Sequence, residues 1–256
     1  MNSHAKIQMQ DVSVHYRHER NRATTMKELA IRLLHRDLDT ELTRALEGVS
    51  AEIVSGEVFC VVGQNGAGKS TLLKVLSGIV RPTTGRVRVW GKVAPLLSVG
   101  AGFHTDLTGR ENIYLYGTIL GRRRAQITAT LDGIVDFAEL ADFVDSPLRT
   151  YSSGMVARLG FAVAMASRPD ILLVDEVLAV GDTRFREKCR RRFMEFVAEG
   201  TTIVLVTHAV GEVLELSSRA LWLEKGTSRA LGDSDQVVRA YQTFLASRGE
   251  KTTIRS

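Results

Sequence analysis

No stretch of the 256 residues approaches the roughly 18 consecutive apolar residues that a membrane-spanning helix needs, so the sequence predicts no span. The opening residues Met1 to Lys6 lack the apolar centre of a secretory leader, and none is expected. Two cysteines are too few for a disulfide framework. Cys60 lies in an apolar run and reads as a small buried hydrophobe, Cys189 lies in an arginine-rich segment, and a reducing cytosol suits both. Repeats and low-complexity tracts are missing too. Aromatics do not interleave with the basic clusters Arg122 to Arg124 and Arg190 to Arg192. The net charge of +5 therefore reads first as a solvated exterior, then as attraction to an anionic membrane surface, ahead of nucleic acid. What is present is ordinary for a globular protein: 44% hydrophobic and 25% charged residues, in a chain long enough for one large or two small domains.

One stretch organises the rest. Val58 to Val62 is a short, β-branched, apolar run, and it leads into Gly63, Gln64, Asn65, Gly66, Ala67, Gly68, Lys69, Ser70 and Thr71. An apolar-periodic segment follows to Gly78. Strand, glycine-rich turn and helix, in that order, are the context a G-x-x-x-x-G-K-[ST] match requires. Glycines at 63, 66 and 68 let main-chain N–H groups converge on a phosphate, and the helix aims its positive end at the same anion. Lys69 would reach the β- and γ-phosphates and the Ser70 hydroxyl would complete a Mg²⁺ shell. The rival reading is a glycine-rich turn that binds nothing, and the flanking strand and helix weigh against it.

Around this centre the chain alternates. Ile7 to Tyr16 suggests an edge or meander strand; Tyr16 is either a platform for a nucleobase or an ordinary strand aromatic. His18 to Thr24 reads as a loop. Thr25 to Leu38 spaces Met26, Leu29, Leu33 and Leu34 as an amphipathic helix with a basic face, suited to a membrane, a partner subunit or its own domain. Leu46 to Val58, with a Ser-Gly turn, suggests a hairpin, and Gly85 to Gly91 a half-exposed strand. Helices are expected over 110–121, 125–144, about 155–167 and about 184–199. Apolar strands are expected at Ile171 to Val174 and Thr201 to Val206. Helices and apolar strands in alternation predict an α/β fold with a mainly parallel sheet covered on both faces.

Ligands of open α/β sheets gather at the carboxyl ends of the strands. Val62 runs into Gly63, Val174 into Asp175 and Glu176, Val206 into Thr207 and His208, and the 93–97 region belongs with them. Asp175 is placed to hold Mg²⁺, Glu176 to act as general base for an attacking water, and His208 to contact a γ-phosphate. The alternative for the acidic pair is a helix cap.

These residues carry a resemblance. Gly63 to Thr71 resembles a Walker A motif and Ile171 to Glu176 a Walker B with its catalytic glutamate. Tyr151, Ser152, Ser153, Gly154 and Met155 resemble the signature motif of ABC ATPases. Val180 to Asp182 is similar to the D-loop, His208 to the switch histidine and Tyr16 to the A-loop aromatic. Agreement runs from about Ile7 to Leu245. The resemblance implies a P-loop NTPase of ABC type: a mainly parallel core, an antiparallel β subdomain, and a helical subdomain at about 101–167 that carries the signature. It implies one ATPase domain over 1–247, with an amphipathic insertion at about 18–44 and a polar tail at 248–256.

The details narrow the family. The signature continues as Val156 to Ala164, and together with Gly100 to Ile113 and the insertion it resembles ATPase subunits that export O-antigen, teichoic acid and galactan. Where a Q-loop glutamine belongs there is only Ser98 and Val99. The resemblance implies ATP and Mg²⁺, and a homodimer in which Ser152, Ser153, Gly154 and Asp182 meet the other subunit's nucleotide. It implies a separate transmembrane permease, a lipid-linked polysaccharide as cargo, no nucleic acid, and a place at the cytoplasmic face of the inner membrane. Other ABC transporters of lipids or drugs, a soluble ABC ATPase acting on ribosomes or DNA, and a binding-only subunit are the alternatives.

Overall fold

The computed structural model describes residues 5–19, 40–96, 100, 102–175 and 181–249. The expected amphipathic helix at Thr25 to Leu38, Ser98 and Val99, and Glu176 lie outside them. Strands β1 (Ala5–Glu19), β2 (Thr40–Val54) and β4 (Thr84–Val89) form one antiparallel sheet in the order β2-β1-β4. The N-terminal strand, expected at an edge or in a meander, is the middle strand here. It also runs further than expected: Glu19 still pairs with Thr40, so the region from His18 begins as strand rather than loop.

The second sheet contains β3 (Val58–Val62), β5 (Val93–Leu96), β6 (Ile171–Asp175), β7 (Thr202–Val206), β8 (Arg219–Glu224) and β9 (Thr227–Asp233). Its order is β5-β6-β7-β3-β8-β9. Every pairing is parallel except β8 with β9. The hairpin expected over Leu46 to Val58 does not form. β2 and β3 follow one another in the chain but join different sheets, and Gly56 N–H of the intervening turn donates to Thr202 Oγ1 at 2.9 Å. Alternation marks each segment as a strand, but it does not say which strand is the partner.

The central parallel strands β3, β6 and β7 are almost wholly apolar because both of their faces are covered. Phe59, Val61, Leu173 and Val204 point to one side, where α1 (Lys69–Leu76) packs between this sheet and the antiparallel one with Ile7, Val12, Leu46 and Ile53. Cys60, Val62, Leu172 and Leu205 point to the other. There they meet α4 (Ser153–Met165) and α5 (Thr183–Ala198), whose Phe161, Phe185, Phe193 and Phe196 are buried. Helices α2 (Gly109–Ile119) and α3 (Arg124–Ala138) pack on α4. α2 begins with a capping box: Thr108 Oγ1 accepts from Glu111 N–H, and Glu111 Oε2 accepts from Thr108 N–H at 2.8 Å. α6 (Val210–Leu216) and α7 (Ser234–Ser247) complete the described elements. Among the described residues no helix is long and apolar enough to cross a membrane.

Candidate functional site

The sheet order places β6, β7 and β3 side by side, so their carboxyl ends open at one edge. Asp175 pairs with Val206, and Val61 pairs with Val206 from the other side. Gly63, Asp175 and the Thr207–His208 pair therefore follow adjacent strand ends. β5 ends beside them, with Leu96 opposite Val174.

Gly63 to Gly68 form the turn between β3 and α1. Gly68 holds φ 103° at the helix N-terminus. A side chain there would meet the Ala45 carbonyl of β2 and Leu46 as well as a left-handed backbone. No side chain caps α1 and no acidic residue occupies its first turn. Its amides and the positive end of its dipole are thereby left for an anion. Lys69 is 8% exposed, and its Nζ donates to Gly63 O at 2.6 Å and Gln64 O at 3.1 Å. The ammonium is thus held inside the turn by the turn's own carbonyls, within reach of whatever the amides bind.

Ser70 Oγ donates to Asp175 Oδ2 at 3.1 Å. This bond joins the first turn of α1 to the end of β6 across 105 residues of sequence, and it brings together the two groups assigned to Mg²⁺. Mg²⁺ keeps water and phosphate oxygens and takes one or two protein oxygens. A hydroxyl and a carboxylate at this spacing fit that habit. Among the described residues no group of three or more His, Cys, Asp or Glu could hold a metal alone, so affinity for the ion would depend on the phosphates that arrive with it.

Asn65 to Thr71 and Asp175 line a cleft of about 480 Å³, whose second wall is Thr43, Arg44 and Ala45 of β2. That size is in the range of small-molecule and cofactor sites. The sequence reading missed this wall. It comes from strand pairing across the insertion, and no local motif marks it. Arg44 is its charged member; its side chain is 72% exposed and 3.5 Å from Glu47. Tyr16 stands across from Thr43 and is half-buried against the core; it is not among the residues that line the cleft.

The remaining predicted groups lie outside the cleft. Ser152 is the N-cap of α4, with Oγ accepting from Met155 N–H at 3.2 Å, and Ser152 and Ser153 are exposed with Gly154 half-exposed. Asp182 is the N-cap of α5 and accepts from Phe185 N–H at 2.9 Å. It also pairs with Arg158 of α4, which lies over the Phe185 ring. The Phe185 N–H, with Arg158 beside it, holds the Asp182 carboxyl below the usual carboxylate range. Arg158, which the sequence reading passed over, thus ties the signature helix to the segment read as a D-loop. His208 is exposed and follows Thr207, whose Oγ1 donates to Glu212 Oε2 at 2.8 Å and accepts from Ala209 N–H at 3.0 Å. The structure therefore brings Asn65 to Thr71 and Asp175 into one cleft, with Gly63 and Gln64 behind it as the carbonyl partners of Lys69. The signature residues and Asp182 do not line it.

Comparison with known proteins identifies the family. A family model described as ABC transporter matches residues 46–179. The chain is 44% identical over 202 residues to an O-antigen export system ATP-binding protein of Klebsiella pneumoniae, covering 79% of this chain and 82% of that one. It is 38% identical over 245 residues to a teichoic acids export ATP-binding protein of Listeria innocua, covering 96% of this chain and 72% of that one. A dimeric ATP-binding cassette in a post-hydrolysis state with ADP and phosphate superposes at a TM-score of 0.68 and 21% identity, covering 89% of this chain and 98% of that one. That likeness shows a shared fold.

Proposed function

Because this chain belongs to the ABC transporter family, we propose that it is the ATP-binding and ATP-hydrolysing subunit of an exporter that moves a lipid-linked polysaccharide across the cytoplasmic membrane. One observation supports the ATPase half above the others: the Ser70–Asp175 bond at the floor of a cleft walled by the glycine turn and Lys69. The cargo half rests on the relatives, which are named for O-antigen export and teichoic acid export.

ATP enters with its phosphates against the Gly63 to Gly68 amides and the α1 N-terminus. Lys69 exchanges its Gly63 and Gln64 carbonyl partners for phosphate oxygens, which strengthens a charge-assisted contact. Ser70 and Asp175 would hold Mg²⁺, which when bound neutralises charge on the β- and γ-phosphates. Glu176, next in the chain after Asp175, takes a proton from the attacking water, and His208 donates to the γ-phosphate. Ser152, Ser153 and Gly154, at the exposed N-terminus of α4, meet the nucleotide of a second copy, with Asp182 beside them through Arg158. Tyr16 or the β2 wall flanks the base.

Closure of two such subunits over ATP, and opening after hydrolysis, follows from the higher affinity of the closed pair for ATP. A transmembrane permease receives that motion, which places the chain at the cytoplasmic face of the membrane. The test is genetic and chemical. Deletion of the gene should strip the cell surface of one polysaccharide while its lipid-linked form accumulates inside. Wild type should restore export and Glu176→Gln should not. Normal surface glycan in the deletion strain overturns the cargo assignment.

A further inference from the structure

The glycine turn has a second support that none of its motifs encode. Strands β8 and β9 are joined by Lys225 and Gly226, both with positive φ, 46° and 81°, as the tight two-residue hairpin turn requires. The backbone of this turn bonds to two other parts of the molecule. Gly226 N–H donates to Ala67 O of the phosphate loop at 3.0 Å, and Gly226 O accepts from Glu47 N–H of β2 at 2.9 Å. Gly63 backs onto the Leu223 carbonyl and Gly68 onto the Ala45 carbonyl, so closely that neither position has room for a Cβ. The loop is therefore wedged, main chain on main chain, between β2 and the β8–β9 turn. Behind the turn, Trp222 packs on Tyr241 and Phe244 of α7, with ring centroids 5.6 and 5.1 Å away.

We propose that Gly226 is a positioning residue for the nucleotide loop. The Lys225–Gly226 turn holds Ala67, and with it the loop amides, in place for a triphosphate before the nucleotide arrives. This rests on the reading of Gly63 to Thr71 as the ATP site. Donors fixed in advance need no ordering at the moment of binding, so their support appears as affinity. A Cβ on Gly226 would stand 2.8 Å from Ala45 O and 3.1 Å from Ala45 C. Those are backbone atoms with no rotamer to escape into, so the turn would move and pull on both hydrogen bonds.

The experiment compares full-length wild type, Gly226→Ala, Gly226→Asn and Gly121→Ala. Gly121 has φ 77° with nothing near its would-be Cβ, so its variant carries the left-handed strain without the wedge. Asparagine tolerates that conformation, so Gly226→Asn carries the wedge with little strain. Melting temperature, Kd for N-methylanthraniloyl-ATP and turnover at saturating ATP are measured. Both variants at 226 should bind about tenfold more weakly while saturated turnover stays within about twofold. Gly121→Ala should bind as wild type despite the Tm loss that its left-handed strain brings. Wild-type affinity in Gly226→Asn, or equal weakening in Gly121→Ala, overturns the proposal. A wild-type chain that binds no ATP overturns the ATP-site reading, and the proposal with it.

Discussion

Ser70→Ala separates what the Ser70–Asp175 bond does for the fold from what it does for the ligand. The wild-type contact is 3.1 Å long and exposed, and an exposed bond of this kind nets about 0.5 kcal/mol. At about 2–4 °C per kcal/mol for a domain of this size, the melting temperature should fall by less than about 2 °C. The loop amides and Lys69 are untouched, so binding of ATP in EDTA should match wild type. Addition of Mg²⁺ should tell the two proteins apart. Wild type should gain affinity, and Ser70→Ala, lacking one of the two protein oxygens, should lose about tenfold of that gain, which is about 1.4 kcal/mol. Titration calorimetry with ATP, with and without Mg²⁺, reads both quantities. An equal Mg²⁺ gain in the two proteins would refute the assignment of Ser70 to the ion.

Arg44→Ala should leave Tm unchanged, since its pair with Glu47 is exposed, yet weaken ATP binding about threefold to tenfold at low salt. The deficit should shrink as salt screens the contact, and a salt-independent or absent effect would remove Arg44 from the site. Burial pushes the Cys60 thiol up to about 11 and the Cys189 thiol up to about 12, so neither should label with a thiol reagent at neutral pH until the protein is unfolded. Fast labelling of the native chain would contradict the packing. The Asp182 carboxyl is depressed in the fold by the Phe185 N–H and Arg158. Its contribution to stability is therefore present above the unfolded pKa of about 3.9 and lost as pH falls through the lower folded value. Asp182→Asn, which still caps α5, should flatten the acid limb of a Tm-versus-pH curve below about pH 4, and an unchanged limb would refute the Asp182 pairings.

The groups legible in the sequence are those that a local pattern marks. Gly63 to Thr71 is legible because strand, turn and helix are contiguous, and Asp175 because four apolar residues lead up to it. The two-sided burial of β3, β6 and β7 is equally plain in their unbroken apolar runs. The second wall of the cleft was not legible, because Thr43 to Ala45 reach the loop only through packing of β2 against it. Gly226 escaped notice for the same reason: its partners, Glu47 and Ala67, are far away in sequence. The hairpin expected over Leu46 to Val58 failed because the Ser-Gly turn passes the chain from one sheet to the other, with Gly56 anchored to Thr202 of β7. Arg158 carries no local signal, because its partner Asp182 comes beside it only through the packing of α5.

The most direct test of the account is ATP turnover by the purified chain, reconstituted in lipid with its candidate permease, with and without the lipid-linked glycan. The account predicts turnover that rises with permease and again with glycan, and that is lost in Glu176→Gln. Turnover indifferent to permease and glycan, or undiminished in Glu176→Gln, would contradict it.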